Sequence, residues 1–260
     1  MDASSGRLVA GDPEPVIVEN LAGSSPLVLL GDHAGRAIPA RLGDLGVGAA
    51  DRERHIAWDI GVADLGRLLA ARLDAVFVHQ RYSRLVIDCN RAPGAPGSIA
   101  AISDGTVVPG NQGLSAAERE ARRLGIFQPY QDRIAQLLDE RGAARRPTLL
   151  LALHSFTPVM DGFVRPWRVG VLHRNDSAFS RAALAVLRGG WGEALVGDNQ
   201  PYAMDGIDFT IPHHADARGL DYLELEVRQD LIATAGQQAE VAEQLIGPLA
   251  RALSVVTAGP

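Results

Sequence analysis

Two histidines that follow apolar runs are the first candidates for chemistry. His33 comes after the run from Leu27 to Asp32, and His154 comes after the run from Leu149 to Leu153. Runs of this length are typical of buried strands, so both imidazoles are expected at strand ends. A neutral imidazole is a common zinc ligand, and a catalytic zinc usually has three protein ligands and an open position for water. Either histidine alone fits an ordinary core residue, but the pair favours a metal site.

The third ligand is predicted to be Asp59, which lies between apolar neighbours. We expect its segment to form a helix that packs on a sheet, where a carboxylate is unfavourable unless it is paired or bound to a metal. The alternative is an ion pair with an arginine such as Arg84 or Arg91. Asp32 and His55 are weaker candidates for a metal ligand.

A strictly alternating segment near the C-terminus, 222–228, provides candidate acids and bases. Its polar residues Glu224, Glu226 and Arg228 project to one side of a strand. This row can be a solvated sheet face. In a strand that borders a metal site, one glutamate can instead act as a general base, while Arg228 holds a neighbouring carboxylate ionised. Periodicity does not distinguish the two glutamates.

Asn90 and Arg91 form a candidate anion site at the end of a further predicted strand, Arg84 to Cys89. A guanidinium can hold a carboxylate through two parallel hydrogen bonds, and an asparagine can add a third. The alternative is that Arg84 and Arg91 are structural partners of buried carboxylates such as Asp88.

The elements that must position these residues alternate along the chain. Short apolar runs predict strands at Pro26 to Leu30, Ala75 to His79, Arg84 to Cys89, Thr148 to His154, Arg168 to Leu172 and Tyr222 to Val227. Amphipathic patterns predict helices at Asp51 to Leu73, Ser115 to Arg141, Ser177 to Leu187 and Gln237 to Leu253. This order predicts an α/β layer fold with a mixed, mainly parallel sheet. Loops rich in proline and glycine, 91–113 and 156–166, follow strand ends, where open α/β sheets bind ligands.

Composition limits the class of protein. The 260 residues are 47% hydrophobic and 22% charged, which fits one domain, 1–260, with an N-terminal extension over 1–25. A net charge of -6 argues against a nucleic-acid partner. The single cysteine, Cys89, fits a reducing cytoplasm, and we find neither a signal peptide nor an apolar stretch of about 18 residues for a membrane span. The oligomeric state stays open.

Five short motifs, in this order, make the sequence resemble the N-formylglutamate amidohydrolase family from about residue 26 to 232. They are Asp32-His33-Ala34-Gly35 with Ile38-Pro39, Asp59 with Gly61-Val62, Ser83-Arg84 through Asp88-Cys89-Asn90-Arg91, Leu153-His154-Ser155, and Leu225-Glu226-Val227-Arg228-Gln229-Asp230-Leu231.

The resemblance implies a fold and a metal site. The family resembles the zinc carboxypeptidases, which implies a three-layer αβα, phosphorylase/hydrolase-like domain. Carboxypeptidases have a glutamate ligand three residues after the first histidine, whereas this chain has Arg36 there. The implied set is therefore one Zn²⁺ per chain held by His33, Asp59 and His154.

The resemblance also implies a reaction, the hydrolysis of N-formyl-L-glutamate to formate and L-glutamate. Glu226, two positions before an arginine, matches the general base, and Arg84 would help to polarise the formyl oxygen. Substrate binding is assigned to Asn90, Arg91 and Arg228. The alternatives are a related amidase or peptidase that acts on another N-acyl amino acid, and a non-catalytic protein that binds small anions.

Overall fold

A seven-stranded sheet organises the chain in a computed structural model, which describes residues 8–174, 177–204 and 206–258. Its strands are β1 (Val16–Glu19), β2 (Leu27–Gly31), β3 (Val76–Gln80), β6 (Leu149–Phe156), β9 (Val169–Leu172), β10 (Val196–Asp198) and β11 (Tyr222–Arg228). The remaining strands form two short hairpins, β4 (Ile102–Ser103) with β5 (Thr106–Val107), and β7 (Val159–Met160) with β8 (Phe163–Val164).

The sheet is mixed but mainly parallel, in the order β1-β3-β2-β6-β11-β9-β10. β2, β3, β6 and β11 run in the same direction, and β9 and β10 are parallel to each other but antiparallel to β11. β1 joins the edge antiparallel to β3, so part of the predicted N-terminal extension belongs to the sheet. Residues 1–7 of that extension lie outside the described ranges.

Helices cover both faces of the sheet. They are α1 (Ala49–Arg52), α2 (Val62–Leu73), α3 (Ala116–Arg122), α4 (Gln128–Ala143), α5 (Ala178–Trp191), α6 (Thr210–His214) and α7 (Ala235–Thr257), with a π-helical turn at Arg123–Phe127 between α3 and α4. Helices α2, α5 and α7 pack with one set of strand residues, such as Leu29 and Leu151, while α4 and α6 pack with the alternate set, such as Leu30 and Leu150. This three-layer arrangement confirms the predicted fold class.

The predicted strand from Arg84 to Cys89 is wrong, because this segment forms buried turns. Its apolar side chains Leu85, Val86 and Ile87 are buried, which explains the strand-like pattern. Its backbone hydrogen bonds do not form a ladder: the Val86 N–H donates to Ser83 O within a turn, and the Arg84 and Asp88 N–H groups donate to Ala57 O and Ser98 O in loops. The apolar run reflects burial of these side chains and not a strand, because a strand also needs a neighbouring strand to pair with.

The predicted helix from Asp51 to Leu73 is interrupted between α1 and α2, and Asp59 lies in the interruption. Gly61, which precedes α2, has a φ of 82°, and a Cβ at this position would lie 2.2 Å from Ile232 O. A residue with a left-handed backbone cannot be part of a right-handed helix, so α2 begins only after Gly61, and the close contact admits no side chain at this position. The Asp59 N–H donates to His33 O over 2.9 Å, so the turn brings the carboxylate to the end of β2.

The other helix predictions are confirmed. The predicted helix from Ser115 to Arg141 runs through α3, the π-helical turn and α4, and Ser115 and Glu118 form the expected capping box. None of the helices in the described ranges has the length and hydrophobicity that a membrane-spanning segment requires.

Candidate active site

A cavity of about 590 Å³ opens where β2, β6 and β11 end. Its lining includes most of the predicted site residues: His33, Asp59, Arg84, Asn90, Arg91, His154 and Glu226. Residues far apart in sequence therefore meet at one edge of the sheet, as expected for open α/β folds.

The three predicted metal ligands form a buried group. One ligand atom from each of His33, Asp59 and His154 lies within 4.8 Å of the others. Asp59 Oδ2 is 2.9 Å from His154 Nδ1 and 3.5 Å from His33 Nδ1. Two imidazoles and a carboxylate form a donor set that suits zinc, so this group could hold a divalent metal.

The surroundings of the two histidines also fit a metal. His33 Nδ1 is buried and has no hydrogen-bond partner, while Nε2 of the same ring lies 2.7 Å from Asp88 Oδ1. His154 Nε2 lies 3.4 Å from Asp32 Oδ2, on the ring atom opposite the Asp59 contact. Carboxylates behind ligand histidines fix the ring and leave the inner nitrogen as a donor to the metal. Asp32, a weaker ligand candidate from the sequence, thus lies behind His154.

The electrostatics favour positive charge at this group. Burial opposes ionisation of Asp59, but the neighbouring His33 and His154 outweigh it and hold the Asp59 pKa well below its usual range. Burial disfavours the charged form of both histidines as well, yet adjacent carboxylates raise the pKa of each. The carboxylates therefore stabilise cations here, either as protons on the imidazoles or as a metal ion.

The arginines have carboxylate partners, as the alternative interpretation of the sequence stated. Arg84 Nη2 donates to Asp88 Oδ2 over 2.7 Å, and its Nη1 reaches Asp59 Oδ1 at 3.4 Å. Arg91 makes a longer contact of 3.5 Å from Nε to Asp88 Oδ2, although the Arg91 and Arg84 side chains are almost equally exposed, at 28% and 27%. Because its contact with a carboxylate is the longer one, Arg91 is the less constrained of these two arginines.

Asn90 and Arg228 also make contacts within the protein. Asn90 Oδ1 accepts from the backbone N–H groups of Phe209 (3.0 Å) and Thr210 (2.9 Å), which anchors the start of α6. Arg228 Nε donates to Asp230 Oδ1 over 2.8 Å, and Arg228 is not among the described residues that line the cavity. The structure therefore brings Asn90 into the site and leaves Arg228 beside it.

The two glutamates of β11 line the cavity and are shielded from solvent. Glu224 and Glu226 are 3% and 6% exposed, and the Oε2 atom of each has no hydrogen-bond partner. Burial raises the Glu226 pKa to about 7 and raises the Glu224 pKa well above its ordinary value. Glu226 pairs in register with His154 of β6. A carboxylate that exchanges protons near neutrality beside the candidate ligands is suited to general acid–base chemistry.

Sequence reasoning missed several residues of the site. Asp88 was considered only as a partner of arginines, whereas it bridges His33 and Arg84. Thr157 and Tyr202 also line the cavity. The position of Thr157 in the loop rich in proline and glycine after β6 was the available signal, while nothing in the sequence pointed to Tyr202.

Comparison with known proteins identifies the same family that the motifs resemble. The model of the N-formylglutamate amidohydrolase family matches residues 25–233. The gene product Atu2144 from Agrobacterium tumefaciens is 38% identical, with 96% of this chain and 99% of that chain covered and a TM-score of 0.92. The N-formylglutamate amidohydrolase from Ralstonia eutropha JMP134 is 19% identical, with coverages of 95% and 100% and a TM-score of 0.74, and it shares the fold. No curated protein matches the chain significantly. The family match confirms the resemblance seen in the motifs.

Proposed function

The chain belongs to the N-formylglutamate amidohydrolase family, and from this premise we propose that it hydrolyses the N-formyl amide of an acidic amino acid. The reaction is N-formyl-L-glutamate and water to formate and L-glutamate. The observation that carries the proposal is the buried group of His33, Asp59 and His154 beside Glu226 in one cavity. Binding alone needs no buried base next to a candidate metal site, so this arrangement favours an enzyme over an anion-binding protein.

In this proposal, His33, His154 and the Asp59 carboxylate would hold one zinc ion per chain. A bound zinc would supply Lewis acidity, which lowers the pKa of water to about 7 and polarises a carbonyl oxygen. Asp88 accepts from His33 Nε2 and keeps that imidazole oriented, while Asp32 Oδ2 lies 3.4 Å from His154 Nε2 and places negative charge behind that ring. Residues of this chain therefore contribute both the donors and the contacts that orient them.

Proton transfer is assigned to Glu226. Its carboxylate takes the proton of the attacking water and returns it to the nitrogen of the leaving glutamate. Burial brings its pKa to about 7, so both the acid and the base form are populated near neutrality. Glu224 lies two residues away on the same side of β11, and burial raises its pKa well above the ordinary value, which favours its protonated form and makes it the weaker candidate for a base.

Substrate binding is assigned to the wall of the cavity formed by the loop after Ser83. Arg91 is partly exposed there and can bind the α-carboxylate through two parallel hydrogen bonds. Asn90 holds the start of α6 in place beside it. Arg84 contributes positive charge next to Asp59, where negative charge develops on the formyl oxygen. Binding of substrate by Arg228 stays a prediction, as does a cytoplasmic location.

The test is a formate-release assay on protein purified with zinc, with the metal content measured in parallel. We expect hydrolysis of N-formyl-L-glutamate, loss of activity on chelation and recovery on adding zinc back. Protein with a full complement of metal that releases no formate would contradict the proposal.

A larger N-acyl amino acid is the second candidate substrate, because the cavity volume of 590 Å³ falls within the range of sites for drug-sized ligands. N-acetyl and dipeptide forms of acidic amino acids belong in the same assay. Faster hydrolysis of one of these would keep the mechanism and change the substrate.

A further inference from the structure

Arg165 is a buried cation without a carboxylate partner in the described part of the chain. The residue is 6% exposed, and its Nη1 is shared among Thr157 O (3.3 Å), Thr157 Oγ1 (3.1 Å) and the Tyr202 hydroxyl (3.0 Å). Its guanidinium also lies 5.8 Å from the ring centre of Phe156 and 4.8 Å from that of Tyr202. A buried charge is costly unless it is compensated, and the groups that the Arg165 guanidinium contacts here are neutral.

The two hydroxyls that contact Arg165, those of Thr157 and Tyr202, can each donate a hydrogen bond to a ligand. A hydroxyl carries one proton and accepts through its lone pairs, so an oxygen that accepts from a guanidinium must direct its own proton elsewhere. Neither the Thr157 nor the Tyr202 hydroxyl donates to another residue within the described ranges. Partial burial and the nearby Glu226 raise the Tyr202 pKa, which keeps its proton in place. Both residues line the cavity, so two O–H donors are available to a ligand.

The cavity needs such donors if its substrate carries two carboxylates. The arginines that line it, Arg84 and Arg91, both contact Asp88, and Arg91, with the longer contact, is the one assigned to the α-carboxylate. No further arginine lines the cavity in the described ranges. Hydroxyl donors with a cation behind them suit an anion, because the positive charge polarises both O–H bonds toward it.

We propose that Thr157 and Tyr202, held by Arg165, form a second carboxylate subsite that binds the side-chain carboxylate of an acidic N-acyl amino acid. This inference rests on the proposed function for its ligand class. It makes Thr157 and Tyr202 specificity-determining residues and Arg165 a positioning residue.

The test compares two ligands that differ by the carboxylate, N-formyl-L-glutamate and N-formyl-L-norvaline. Dissociation constants are measured by calorimetry on zinc-loaded protein that carries Glu226→Gln, so that hydrolysis of either ligand is slow during the titration. In this background, Tyr202→Phe and Thr157→Val each remove one hydroxyl and little volume. We expect each change to weaken N-formyl-L-glutamate binding about tenfold, as for a lost hydrogen bond to a charged group, and to reduce the preference over N-formyl-L-norvaline accordingly.

Tyr82→Phe is the matched control, because the Tyr82 hydroxyl donates to Pro13 O at 2.6 Å and Tyr82 does not line the cavity. It should keep the full preference for N-formyl-L-glutamate. The subsite is overturned if Tyr202→Phe and Thr157→Val both leave the preference intact, or if both weaken the two ligands equally. Failure of the proposed function is a separate result: unsubstituted protein would release no formate, while the binding preference needs no turnover.

Discussion

Replacement of Glu226 by glutamine tests the proposed chemistry directly, because the amide keeps the size of the side chain and removes its ability to take a proton. Glu226 is 6% exposed, and its Oε2 has no hydrogen-bond partner that would be lost. We therefore expect the variant to fold and to bind metal. Loss of a general base typically costs 10²- to 10⁴-fold, so kcat should fall at least about a hundredfold.

The role of Glu226 as the base also predicts how steeply kcat/KM depends on pH. A base works in its deprotonated form, so activity should fall as pH drops below the Glu226 pKa, about 7 without metal. Below the pKa, kcat/KM should fall about tenfold per pH unit, because the ionised fraction falls by that factor. A bound cation favours the ionised form, which places the acid limb at or below pH 7. The residual activity of Glu226→Gln should not show this decrease at acidic pH.

Glu224→Gln is the matched control on the same strand. Glu224 faces the same cavity, but burial keeps its pKa well above the ordinary value, so it should contribute little as a base. The assay is formate release from pH 5 to 9 on proteins with equal metal content. A larger loss for Glu224→Gln than for Glu226→Gln would refute the reasoning and move the catalytic role to Glu224.

Three further predictions concern the metal, the substrate anchor and stability. His33→Ala and His154→Ala should each lose most of the bound zinc in elemental analysis, and full metal content in both variants would mean that the site is elsewhere. Arg91→Lys keeps the charge but loses the planar fork, so KM for N-formyl-L-glutamate should rise about tenfold, whereas an unchanged KM would remove Arg91 from the substrate site. His214 is buried, its Nε2 lies 2.7 Å from Gln131 Oε1, and burial lowers its pKa to about 3. The unfolded chain therefore binds this proton first, so the stability contribution present above pH 6.5 is lost as pH falls toward 3, at about 1.4 kcal/mol per unit. Urea unfolding at pH 7 and pH 5 should show about 2 kcal/mol less pH dependence in His214→Gln than in the unsubstituted protein. Equal pH dependence would show that His214 binds its proton equally well in the folded and unfolded states.

The sequence alone was sufficient for the layer architecture, and it predicted which residues meet at the candidate site. Runs such as Leu149 to Leu153 are continuous because parallel strands are buried on both faces, and that pattern is local. The alternation around Glu226 is local too, since successive side chains of a strand point to opposite faces. Because parallel strands end at the same edge, residues at their ends could be predicted to meet there, as His33 and His154 do.

Only the tertiary structure decided what each polar group contacts. The segment after Ser83 is as apolar as a strand but has no strand beside it to pair with, so its backbone turns. Asp59 comes to His33 through a turn that depends on close contact between Gly61 and Ile232.

The same holds for the charged side chains. A guanidinium has five donors on a long side chain, and its partners depend on which acceptors the folded chain brings within reach. The sequence therefore left Arg84 with two roles, a catalytic group or a partner of Asp59 and Asp88, and only the fold showed that it contacts both carboxylates. The contacts of Arg165 with Thr157 and Tyr202 join three loop positions that no periodic pattern relates, because side-chain periodicity carries information only within one helix or strand.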